Sequence, residues 1–76
     1  MNTIQNFCKQ FRVNELGLTL EQMGELTETN PKTISAFEHG RSNNINHVYL
    51  YVKVIHLPEL LHSFLTGINH ALLQGE

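Results

Sequence analysis

The sequence contains no aspartate, no tryptophan, a single cysteine and no apolar run long enough to cross a bilayer. The lone Cys8 cannot form a disulfide within the chain. The chain has no aspartate and no glycine-rich phosphate loop, and nothing in it assembles a nucleophile with a general base. We therefore predict that it is not an enzyme, binds no cofactor and takes no small-molecule substrate. No membrane association is expected, and the lack of a basic, apolar leader predicts a cytoplasmic protein.

A metal site is also not predicted, although the chain has five histidines. No two of them stand three to five residues apart, which is the spacing of a ligand pair on one helix, and no second cysteine supports them. We interpret them as scattered surface or boundary residues. They are His39, His47, His56, His62 and His70.

The length of 76 residues allows one domain with one small, marginally stable core. Apolar residues recur at helical spacing, and we assign no segment as a β-strand. The initial methionine and the polar QGE ending favour a complete chain. We predict an all-α single domain of five helices, over about residues 4–16, 20–27 and 31–39, a fourth segment capped by Asn46, and 58–73.

Local signals mark the ends of two central helices. Thr19 and Gln22 form a capping box before the helix at 20–27. Asn30 is a preferred N-cap, and Pro31 follows at the first helical position, where proline costs least. Gly40 can adopt the left-handed conformation that ends a helix.

One apolar face of each helix is predicted to form the core. Cys8 belongs to such a face, so we interpret it as a buried small hydrophobic residue rather than a reactive thiol. Tyr49 and Tyr51 are expected at the domain boundary with their hydroxyls in water. The predicted stripes are Ile4, Phe7, Cys8 and Phe11; Val48, Tyr49, Val52 and Ile55; and Leu60, Leu61, Phe64, Leu65, Ile68 and Leu72.

Residues 18–40, LTLEQMGELTETNPKTISAFEHG, resemble the helix-turn-helix of the phage-repressor family, the lambda-repressor-like or Cro/CI type. The match needs no gap, and Glu38 with Gly40 reproduces the E-x-G ending of the second motif helix. The motif covers about a third of the chain, and the predicted helices around it extend the resemblance to nearly the whole. The resemblance implies a lambda-repressor-like fold and a sequence-specific DNA-binding transcriptional regulator of phage or bacterial type.

In that family the second motif helix enters the major groove by its N-terminal end. The resemblance implies that Arg12 pairs with Glu38 as a structural ion pair. It implies phosphate contacts by Arg41 and Asn43 in the following loop. The residues that it places towards base edges are Asn30, Lys32, Thr33, Ser35 and Ala36.

The chain departs from the family pattern at several positions. Leu20 replaces a polar residue that contacts phosphate. Pro31 and Ala36 replace long polar residues, which reduces the hydrogen-bonding reach of the second motif helix. Glu28 stands where the turn glycine is usual, and a positive φ at that position would cost it free energy.

Charge leaves a second function open. Residues 1–40 contain three basic and five acidic side chains, and the net charge of the chain is −2, whereas DNA-binding domains usually carry a basic excess. The alternative is a protein-binding helix-turn-helix module, such as an antirepressor, whose acidic face occupies a basic partner. That face would comprise Glu21, Glu25 and Glu28.

The last helix also has two interpretations. Its wide apolar side either closes the small core or exposes a surface for a partner or a second copy. Leu61, Leu65 and Leu72 would form that surface. A homodimer would double the number of DNA contacts and place two recognition helices about 34 Å apart.

Overall fold

The computed structural model describes residues 3–42 and 44–74 of the chain. Within these ranges there are five α-helices and no β-strand, as the apolar periodicity predicts. The helices pack into one globule with a radius of gyration of 11.4 Å. They are α1 (Thr3–Phe11), α2 (Leu20–Thr27), α3 (Pro31–Glu38), α4 (Val48–Lys53) and α5 (Pro58–Gln74).

The first predicted helix changes its pitch before it ends. After α1, the segment Arg12–Leu16 continues as a wider π-helical turn, which Gly17 closes in the left-handed conformation at φ 65°. The backbone N–H of Leu18 donates to the Arg12 carbonyl at 3.1 Å. The side chain of Arg12 also bonds the Leu18 carbonyl, at 2.7 Å. Backbone and side chain together therefore fix where this segment stops.

The predicted starts of α2 and α3 are confirmed. The Thr19 hydroxyl accepts from the Gln22 N–H at 3.1 Å, while the Gln22 side chain accepts from the Thr19 N–H at 2.9 Å. Asn30 caps α3 by accepting from the Lys32 N–H at 2.9 Å. The end of α3 lies one residue earlier than predicted, because His39 is its C-cap.

The turn between α2 and α3 depends on two backbone positions. Glu28 has φ 55°, so the residue that replaces the usual glycine does adopt the left-handed conformation. The next N–H, of Thr29, donates to the Gly24 carbonyl at 2.9 Å. A Cβ at position 24 would lie 2.6 Å from the Thr29 carbonyl oxygen, so only glycine allows this close approach.

The fourth segment differs from the prediction. Its cap is Asn44, whose side chain accepts from the Asn46 N–H at 3.1 Å, and not Asn46 itself. A single 3₁₀ turn, Ile45–His47, then leads into α4. Of the predicted inward face, Val48, Val52 and Ile55 do pack against the core, but Tyr49 is 69% exposed. The expectation that Tyr51 lies at the domain boundary with its hydroxyl in water is wrong, because Tyr51 is fully buried and its hydroxyl bonds Glu38.

The core is built largely from aromatic rings on α1, α3, α4 and α5. The rings of Phe11 and Phe64 lie 4.9 Å apart between centroids. Phe7 packs against Gly67, where a Cβ would overlap its ring. The buried members of the core cluster are Cys8, Phe11, Met23, Ile34, Phe37, Tyr51, Val54 and Phe64.

The apolar side of α5 is divided between core and surface. Phe64 and Ala71 are buried, and Leu61 is half-buried. Leu65 and Leu72 are 52% and 58% exposed, so of the two interpretations of this apolar side, closure of the core does not hold for these two residues. No helix in the described part of the chain is long and apolar enough to span a membrane.

Candidate nucleic-acid interface

A buried hydrogen-bond network holds α3 in place. Arg12 donates to both carboxylate oxygens of Glu38, from Nε at 2.8 Å and from Nη2 at 3.0 Å. The Tyr51 hydroxyl donates to the Glu38 Oε2 at 2.7 Å. The ion pair that the resemblance implied is thus present, with a tyrosine as an additional member. The network joins the last residue of α3 to Arg12, the first residue of the π-helical turn, and to Tyr51 in α4.

The network explains the ionisation states of its members. The hydrogen bond to Glu38 raises the pKa of Arg12, which therefore stays charged. Burial, with the hydrogen bond to Glu38 as a further cause, raises the pKa of Tyr51. The pKa of the nearby Cys8 thiol is raised to about 12, first by burial and then by the charge of Glu38. Cys8 is therefore a protonated, inert core residue, as expected.

The opposite face of α3 is open to solvent. Ile34 and Phe37 point into the core, so the residues on the far side of the helix face outward. Lys32 is exposed, and Ala36, one turn later, is half-exposed. His39 follows at the same helical spacing and is exposed. Together, Lys32, Ala36 and His39 form a stripe along the middle of the outer face.

The other residues that the resemblance assigned to DNA contacts have different positions. Ser35 and Thr33 are half-exposed on either side of the stripe, and Arg41 is exposed in the turn after α3. Asn30 is exposed, but its side-chain oxygen is engaged in capping the helix. Asn43 lies outside the described residues.

His39 is the residue of this surface that the sequence analysis did not assign to it. Its Nδ1 lies 2.8 Å from the Ser35 carbonyl oxygen and 3.3 Å from the Ser35 hydroxyl. Its position seven residues after Lys32 places it on the same face of the helix, and this spacing could have assigned it to the surface. From the sequence, the histidines were weighed as metal ligands and not as members of this face.

The exposed side of α2 is acidic. Glu21, Glu25 and Glu28 are all exposed and recur at i, i+4 and i+7, so they form one line along the helix. This acidic line runs along α2 to its C-cap, Glu28.

Two depressions lie away from α3. A groove of about 280 Å³ is lined by leucines of several segments, including Leu26 and Leu57, with Glu15 and His56 as its polar members. A more open depression of about 400 Å³ runs along α5 and combines the apolar Leu65, Ile68 and Leu72 with the polar His62, Thr66 and Asn69. The predicted partner surface of α5 is thus exposed at Leu65 and Leu72.

Comparisons with models of known families, with curated protein sequences and with solved structures found no match to this chain. Residues 3–42 and 44–74 contain no group of three or more histidine, cysteine or acidic side chains that could hold a metal ion.

Proposed function

We propose that the protein is a sequence-specific DNA-binding transcriptional regulator of the phage-repressor type, without catalytic activity. The observation that carries the proposal is the outer face of α3. The helix α3 is short and capped, and its outward side chains are small or polar. On its buried side, the bonds of Glu38 to Arg12 and Tyr51 hold it in place. A helix held this firmly can enter a groove without losing much conformational entropy on binding.

In this proposal α3 enters the major groove by its N-terminal end. Lys32 donates to guanine, and the hydroxyls of Thr33 and Ser35 bond base edges of either type. The methyl group of Ala36 contacts a thymine methyl. Arg41 contacts a phosphate beside the groove.

Few cations support this binding, so a second copy is part of the proposal. With about three phosphate contacts per subunit, the logarithmic salt slope is about −3 for a monomer and about −6 for a dimer. Leu65 and Leu72, exposed seven residues apart on α5, form the proposed dimer surface, with the half-buried Leu61 at its edge. Glu59 is the one charged residue of this helix, so little repulsion opposes the pairing of two copies.

The acidic line on α2 favours a second candidate function. A protein-binding module would use Glu21, Glu25 and Glu28 against the basic surface of a repressor, as an antirepressor does. Replacing all three by lysine separates the two functions. The variant should bind duplex DNA more tightly if α3 enters a groove, because three repelled carboxylates become cations near phosphate. It should instead lose its binding to a basic protein partner if the second candidate is correct.

Selection from a random duplex DNA library tests the first function. The purified protein should enrich one short sequence with two-fold symmetry over several rounds at low salt. A matched selection with the Lys32→Ala, Thr33→Ala variant should enrich nothing, although the variant keeps the helical circular dichroism of the parent. Enrichment of the same sequence by both proteins would contradict the assignment of α3 as the reading helix.

A further inference from the structure

His39 occupies the C-terminal end of the outer stripe of α3. It stands seven residues after Lys32, which is about 10 Å along the helix axis. Ala36 lies between them with only a methyl group, so both longer side chains are accessible on the same face. The ring of His39 is therefore part of the surface that α3 presents.

The orientation of the ring determines its hydrogen-bonding chemistry. Nδ1 lies 2.8 Å from the Ser35 carbonyl oxygen, which can only accept, so Nδ1 carries the hydrogen. In the neutral ring, Nε2 is then an acceptor and is unsuited to a phosphate oxygen. Histidine gains a proton in the range between about pH 5 and 8, and Nε2 then becomes a charged donor.

The dimensions of DNA place this donor near the backbone. A helix of eight residues is about 12 Å long, which exceeds the depth of the major groove, about 8.5 Å. When the N-terminal end of α3 contacts base edges, its C-terminal end lies beside the phosphates that border the groove.

We propose that His39 makes a phosphate contact only when its imidazole is protonated, so that DNA binding by α3 strengthens as the pH falls. This inference rests on the proposed DNA-binding function. The sign follows from linkage: because the protonated form binds more tightly, complex formation takes up a proton. The added affinity is present at low pH and is lost as the pH rises through the titration of the ring.

Neighbouring charges do not account for such a change. Lys32 and Arg41 share the outer surface, and lysine and arginine are not residue types that titrate between about pH 5 and 8. The carboxylate of Glu38 is buried and bonded to Arg12. His47 packs edge-on against Phe37, on the buried side of α3.

The test compares salt slopes of binding to the duplex enriched by the selection, with the random duplex pool as a second probe, at about pH 5.5 and about pH 8. Fluorescence anisotropy gives the affinity, and circular dichroism checks the fold at both values. The parent protein should gain about 0.9 in slope per subunit, and about tenfold in affinity, at the lower pH. His39→Gln should lose this gain, and His39→Lys should show it at both pH values.

His56→Gln is the matched control, because it removes the same titrating group from an exposed site between α4 and α5, away from α3 and from the proposed dimer surface. It should keep the gain of the parent protein. A gain that persists in His39→Gln, while DNA binding itself is intact, would overturn the role of His39 and leave the proposed function standing. Failure of the parent protein to bind either probe at either pH would overturn both.

Discussion

Arg12 and Tyr51 donate to the same oxygen of Glu38, Oε2, at 2.8 and 2.7 Å. All three residues are at least 94% buried. The single charge of Glu38 thus joins α3 to two other segments of a chain whose core is small. A buried ion costs several kcal/mol to desolvate, and this cost is offset here because Arg12 and Glu38 each make three hydrogen bonds.

The first prediction concerns this network. Glu38→Gln leaves the guanidinium of Arg12 buried without a counter-charge, so the free energy of unfolding should fall by about 3–5 kcal/mol. Tyr51→Phe removes one bond to a charged group and should cost about 2 kcal/mol. Urea denaturation measures both, with Glu59→Gln as an exposed control that should change little. A loss below about 1 kcal/mol for Glu38→Gln would contradict the network's role.

The second prediction concerns alkaline stability. The pKa of Tyr51 is raised in the native state, so above the ordinary tyrosine pKa of about 10 the unfolded state releases a proton that the folded state keeps. The stability present at neutral pH should therefore fall as the pH rises through 10. Cys8 acts in the same direction from its ordinary value of 9.0 to about 12.

Thermal unfolding between neutral pH and about pH 11 measures this loss. The slope of stability against pH should be smaller in Tyr51→Phe and in Cys8→Ala, and smallest when the two substitutions are combined. An unchanged slope in the double variant would show that other groups cause the alkaline instability.

The third prediction concerns the turn before α3. Glu28→Gly relieves a positive φ of 55°, so it should stabilise the protein by about 1 kcal/mol relative to Glu28→Ala. Both variants remove the same carboxylate from the end of α2, so their difference isolates the backbone term. Equal unfolding free energies of the two variants, measured in urea, would contradict a strained turn.

The fourth prediction concerns the surface of α5. Leu65→Glu with Leu72→Glu should convert the proposed dimer into a monomer, because four carboxylates would meet at the interface. Sedimentation equilibrium measures the association state. Ser63→Glu, a substitution at an exposed position on another side of the same helix, should leave the dimer intact. A parent protein that is monomeric at high concentration would exclude this interface.

Features set by short-range signals were predictable from the sequence. The caps at Thr19 and Asn30 act over two or three residues, so the starts of α2 and α3 could be assigned without tertiary information. The comparison with the family pattern also marked Glu28 as the turn position at which a positive φ would be costly, and the structure has φ 55° there.

Features set by distant contacts were not predictable. The buried hydroxyl of Tyr51 donates to Glu38, which is thirteen residues away in the sequence. This hydrogen bond stabilises Tyr51 on the buried face of α4. Nothing in the spacing of Val48 and Tyr49 signals it.

The candidate site was predicted in composition but not in geometry. Lys32, Ser35 and Ala36 do lie on the outer side of α3, since helical periodicity separates them from Ile34 and Phe37. The engagement of Asn30 in capping, and the orientation of His39 by the Ser35 carbonyl, depend on atomic contacts that the sequence pattern does not specify.

The most direct test of the central claim is an equilibrium titration of duplex DNA with the parent protein and with the Lys32→Ala, Thr33→Ala variant. It would use the duplex recovered by selection and a scrambled duplex, each at low and at near-physiological salt. The parent protein should prefer the selected duplex, with binding that weakens as salt rises, and the folded variant should lose this preference. Equal affinity of the two proteins for both duplexes, or no binding even at low salt, would contradict sequence reading by α3.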